Sequence, residues 1–166
     1  HVVRKVDPQG IITTFAGTGA RGNTGDGGPA SSARLNGDRR GRLTVAPDGS
    51  LYIAQPANHV VRRVGPDGVI RRVAGTGSAG FSGDGGPALE ARLRDPIDVA
   101  VSPDGTLYIA EYGNHRVRKV DPQGIISTIV GTGGAGNSGD NGPALNARLY
   151  YPMRIEYGAD GSLYIE

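Results

Sequence analysis

PIDVAVSPDGTLYIAEYGNHRVRKVD, residues 96–121, is the stretch that decides the fold. Ile97 to Val101 alternate apolar with small or polar side chains, the period of a half-buried strand. Ser102-Pro103-Asp104-Gly105 has the turn chemistry that joins two antiparallel strands. Leu107 to Ala110 gives a second strand. Glu111 to Asn114 supplies a turn in which Gly113 and Asn114 tolerate positive φ, and His115 to Val120 run on as a third strand. Asp121-Pro122-Gln123-Gly124 reverses the chain again before a fourth strand, Ile125 to Val130. The unit is a four-stranded antiparallel meander.

Working outward, the unit repeats. HVVRKVDPQGII at His1 returns as HVVRRVGPDGVI at His59 and as HRVRKVDPQGII at His115. Each copy continues through GTG (Gly17, Gly75, Gly131), GDGGPA or GDNGPA (Gly25, Gly83, Gly139) and ARL (Ala33, Ala91, Ala147). Each then reaches an Asp-Gly turn (Asp48, Asp104, Asp160) and the strand LYI (Leu51, Leu107, Leu163). A four-stranded meander at this period is the signature of a propeller blade. Residues 41–74 and 97–130 read as complete blades, 1–16 as the third and fourth strands of a shared blade, and 153–166 as the first and second strands of another. The whole of 1–166 is thus one half-propeller of three blade-equivalents.

The string from Pro96 to Asp121 resembles the NHL repeat, whose Asn-His-Leu-type triplet stands here as Asn58-His59-Val60 and Asn114-His115-Arg116. The longer form, with GTGxxGxxGDGGPAxxARL between blades, resembles a variant found in bacterial surface and secreted proteins, which implies an extracellular or cell-surface setting. The resemblance covers essentially the whole chain and implies an all-β propeller, with six blades to the usual ring. It leaves function open, because chemistry on such a scaffold sits in grafted sites.

Propellers typically have about 4 to 8 blades, and an open arc exposes strand edges. A C2 homodimer is therefore expected, in which two composite blades close a six-bladed ring. The other reading is a cut from a longer single-chain ring. A start inside a repeat without an initiator Met is what a processed, trimmed or engineered fragment would present. The near-identity of residues 1–19 and 115–133 points to recent duplication or deliberate construction.

Composition agrees with short strands and tight turns: 29 glycines and 11 prolines among 166 residues, with 5% aromatics. Lys and Arg number 18 against 16 acidic residues, and the two signs are interleaved, so nucleic acid is not an expected partner. The absence of cysteine removes disulfides and thiolate metal sites. No run approaches the ~18 apolar residues of a membrane span, and His1-Val2-Val3-Arg4 is not a signal peptide.

No catalytic residue, cofactor or metal ligand set is expected. No nucleophile elbow or HExxH occurs. GxGxxG at Gly17, Gly75 and Gly131 mimics a dinucleotide fingerprint, but only a two-turn helix, Pro87 to Leu93, is available after it, so the glycines read as inter-blade connections. Asp26, Asp84 and Asp140 lack calcium-loop spacing and are expected to cap the short helix or satisfy turn amides. His1, His59 and His115 sit on different blades and are expected to tie turn to strand rather than converge on a metal.

The binding candidates lie on the innermost strand and the loops. Arg42, Asp98 and Arg154 share one repeat position facing the channel, with Thr44, Ala100 and Glu156 two residues on. They suggest either a polar, net cationic entrance for a small anionic ligand or a set of mutually paired charges. Arg21 and Phe81 lie on variable inter-blade loops, where a protein or ligand surface would be expected. The segment NGDRRGRL, residues 36–43, lacks the proline of the other copies, and Glu156-Tyr157 replaces Ala100-Val101. Both changes are expected to weaken inner-strand packing.

The function expected is a noncatalytic binding or assembly scaffold. The alternatives are a metal-dependent lyase or lactonase in the channel, and an RNA or polyanion binder using Arg21, Arg39, Arg40 and Arg42.

Overall fold

The computed structural model describes residues 1–36 and 41–166. Arg39 and Arg40, named above for polyanion binding, lie outside the described residues.

Among the described residues, twelve strands form four antiparallel sheets in chain order. β1 (Val3–Val6) and β2 (Ile12–Ala16) make a half-blade. A complete blade follows: β3 (Leu43–Val45), β4 (Leu51–Gln55), β5 (Val60–Val64) and β6 (Ile70–Ala74). The next comprises β7 (Pro96–Val101), β8 (Leu107–Glu111), β9 (Arg116–Val120) and β10 (Ile126–Val130). β11 (Ile155–Tyr157) and β12 (Leu163–Ile165) make the second half-blade. Every strand pairs with its chain neighbour, so each sheet is a meander, and the architecture is the all-β propeller type expected.

The Asp-Gly turns form for a local reason. Asp104 accepts the Thr106 amide at 3.1 Å while Gly105 takes φ +88°, a left-handed conformation that costs glycine little. Asp48 and Asp160 accept the Ser50 and Ser162 amides in the same way.

Strand alternation sends neighbouring side chains into different cores. Ile109 packs with Ala54, Val61, Leu93 and Ile126 between the two complete blades. Ala110, next along β8, packs with Val117 and Ile155 against the second half-blade. A blade is therefore covered on both faces by its neighbours.

Two local expectations change. The residue with positive φ between the second and third strands is the histidine itself, His59 at +52° and His115 at +53°, so the third strand starts one residue later, at Val60 and Arg116. Residues 87–93 are turn and bend rather than helix. The first and third copies have single 3-10 turns there, Ala30–Ser32 and Ala144–Asn146.

Candidate functional site

The inner strands β3, β7 and β11 line a groove of 1170 Å³ with Arg42, Asp98, Arg154 and Glu156 in its wall. Asp98 is buried, and its two carboxylate oxygens accept the amides of Val99 and Ile155, each at 3.0 Å. Burial raises its pKa, while those amides and the charges of Arg42 and Arg154 pull it back. Its carboxylate thus ties β7 to β11. Arg154 pairs with Glu166 across an exposed 3.5 Å contact. Glu156 is exposed on β11. Thr44 Oγ1 donates to the Val99 carbonyl at 2.6 Å, tying β3 to β7. The weakened packing expected at Glu156-Tyr157 is countered by Tyr157 stacking on Tyr108, with centroids 5.5 Å apart.

The two loop candidates stand outside this groove wall. Arg21 Nε donates to Asn36 Oδ1 at 2.8 Å, and Asn36 in turn donates to Asn58, so this arginine braces its loop. Phe81 is exposed, but Arg116 stacks over its ring at 3.8 Å from the centroid, with Arg118 behind at 5.1 Å.

The densest polar chemistry lies at the seams between blades. Arg62 on β5 and Arg118 on β9 are completely buried. Each reaches back to the loop before its own blade. Arg62 donates to Asp26 at 2.9 Å and to the carbonyls of Thr24 and Arg34. Arg118 donates to Asp84 and to the carbonyls of Ser82 and Arg92. The caps expected of Asp26 and Asp84 are absent, because both carboxylates are engaged by these arginines. Such charge-assisted bonds are the strong ones, and a planar guanidinium suits several acceptors at once.

The same loops extend the outermost strand of the next blade. Gly27 donates to the Ile70 carbonyl, Ile70 to Gly28 and Ala30 to Gly68. The second seam repeats this set with Gly85, Ile126, Gly86, Ala88 and Gly124.

The Asn-His pair completes each seam. Asn58 and Asn114 donate to the carbonyls of Gly22 and Gly80. His59 and His115 accept, at Nδ1, the amides of Asp95 and Tyr151 in the segments entering the following blade. The histidines are structural, but they tie blade to blade rather than turn to strand. Burial, then the charge of Arg94, lowers the His115 pKa, consistent with a neutral acceptor. The GxGxxG glycines also serve the seam: a Cβ at Gly75 would strike the His59 carbonyl oxygen.

Glu111, fully buried, accepts from Arg118 at 3.4 Å, from Asn114 and from the Arg94 amide at 3.2 Å. Burial pushes its pKa up to about 7 against those donors. The repeat offered a signal for this seam network, since Arg recurs three residues after each His and Asp recurs after each loop Gly. Pairing the two required the three-dimensional offset of one blade.

Among the described residues, no group of three or more His, Asp or Glu is placed to hold a metal ion, and no helix is long and apolar enough to cross a membrane.

Nearest-neighbour meanders locked face to face define a β-propeller arc. The Teneurin NHL domain family matches residues 77–139. Mouse Teneurin-4 is 33% identical in an alignment taking in 99% of this chain and 7% of that much longer protein. A Bacteroides thetaiotaomicron protein of unknown function superposes with a TM-score of 0.73 at 23% identity, over 95% of this chain and 37% of that one. A streptogramin B lyase superposes at 0.59 and 14% identity, over 99% and 40%. The chain belongs to the NHL-repeat proteins.

Proposed function

We propose that this chain is a noncatalytic propeller scaffold for binding and assembly, and that two copies associate into a closed six-bladed ring. One observation carries the reading. Val64, Ile70, Val120 and Ile126 in the complete blades are 0 to 6% exposed, whereas the equivalent Val6 and Ile12 in the first half-blade are 62% and 57% exposed. These positions are apolar because the repeat buries them, and a neighbouring repeat is what buries them. At the other half-blade, Tyr150, Met153 and Tyr164 are exposed.

The groove supports a binding role rather than an acid–base one. Its buried carboxylate, Asp98, is held by two backbone amides, and the wall sets Arg42 and Arg154 among Glu156 and Glu166, a polar lining of both signs. Sedimentation equilibrium tests the assembly. A species of twice 17.1 kDa supports it, and a chain that stays at 17.1 kDa at every concentration overturns it. Metal analysis tests the noncatalytic reading, which one tightly held metal per chain would contradict.

A further inference from the structure

We infer that Arg4 and Thr14 of one copy receive Asp140 of a second copy, so that the ring closes through the same seam that joins its internal blades. The inference rests on the assembly reading above and adds its chemistry.

Arg4 occupies the repeat position of Arg62 and Arg118, three residues after the histidine. It lies opposite Thr14 in register, as Arg118 lies opposite Thr128. In the second internal seam, Asp84 takes both groups: Arg118 Nη2 at 2.6 Å on one oxygen and Thr128 Oγ1 at 2.6 Å on the other. In the half-blade the receptor stands ready and solvent-exposed, with Arg4 donating to Thr14 at 3.4 Å.

The other half of the seam is equally preformed. Asp140 is exposed at the loop position of Asp26 and Asp84. Its loop makes the same turn, Gly142 N–H to the Gly139 carbonyl at 3.1 Å, against 3.2 Å for Gly28 to Gly25 and 3.0 Å for Gly86 to Gly83. Asn141 replaces the second glycine and keeps the positive φ, at +63°. Ser138 and Arg148 already pair, so the carbonyls to which the buried arginine would donate are fixed in place.

The internal seams also specify the backbone bonds that accompany the ion pair. Asn141 N–H meets the Ile12 carbonyl, Ile12 N–H meets Gly142, and Ala144 N–H meets Gly10, each across the boundary between copies. The edge of β2 is thereby covered and Ile12 buried. Charge complementarity selects a like repeat as the occupant, and a second copy brings both halves of the seam.

Charge reversal tests the inference on the whole chain. Arg4→Glu and Asp140→Arg are made singly and together, and the dimer dissociation constant is read by sedimentation velocity. Each single change is expected to weaken association about 30-fold or more, the cost of stranding one charge of a buried pair. The double change should restore much of it. Circular dichroism of each variant confirms folding, since both side chains are exposed in the single chain. A wild-type dimer indifferent to the single changes, or a double variant no tighter than either single, overturns the ion pair while leaving self-association standing. A monomeric wild type overturns both.

Discussion

The guanidinium of Arg118, wholly enclosed, meets the carboxylate of Asp84 at 2.6 Å across the boundary between two blades. The two residues belong to different repeats, 34 positions apart. The contact is part of how one blade positions the next.

Asp84→Ala leaves that guanidinium with two carbonyls and the more distant Glu111 carboxylate, and is expected to cost about 2 kcal/mol. Asp67→Ala breaks the exposed Arg71 pair within one turn and is expected to cost less than about 0.5 kcal/mol. Urea unfolding of the two variants side by side measures the difference. Equal effects would mean that the seam pair contributes no more than a surface one.

Ile126 is fully buried between complete blades. Ile126→Ala is expected to destabilise by about 2 to 5 kcal/mol through lost transfer energy and the cavity left behind. Ile12→Ala, at the equivalent exposed position, is expected to change the single chain's unfolding free energy by less than about 0.5 kcal/mol at concentrations where it is monomeric. Thermal and urea melts over a range of concentrations separate the two.

Asp98 accepts two amides with its two oxygens, and an asparagine can accept only with one. Asp98→Asn turns a donor toward a donor and is expected to cost about 1 to 3 kcal/mol. Hydrogen exchange at the Ile155 amide should accelerate. Unchanged protection there would show that β11 is held to β7 by packing alone.

Glu111 and His115 act in opposite directions on the pH dependence of stability. The His115 pKa is lowered in the fold, so the unfolded chain takes up a proton first, and stability falls as pH drops below the ordinary histidine value through the lowered one. Glu111 is raised to about 7 from 4.5, so its contribution is full below 4.5 and is lost as pH rises through 7. Glu111→Gln should remove the decline between 4.5 and 7 and expose the rise due to His115. A variant whose stability keeps the wild-type pH profile would deny Glu111 this role.

The propeller was legible because its determinants are local: alternation along LYIA, Asp-Gly turns, and self-similarity of the units beginning at His1, His59 and His115. The inner-strand alignment of Arg42, Asp98 and Arg154 was legible too, since equal repeat positions face one axis, and they line one groove wall. What the strings do not contain is orientation across a seam. Asp84 next to glycines looks like a turn residue until β9 is laid beside it, and His115 looks like the first residue of a strand until its positive φ turns Nδ1 toward Tyr151. Arg21 and Phe81 looked like free loop side chains because their partners, Asn36 and Arg116, are distant in sequence.

Since both parties to every internal seam lie in adjacent repeats, each joint is specified without reference to the rest of the ring. A whole unit, histidine to histidine, can then be duplicated or deleted while every remaining joint still finds its match, which leaves copy number free to drift in evolution or in design while the joint chemistry stays constant.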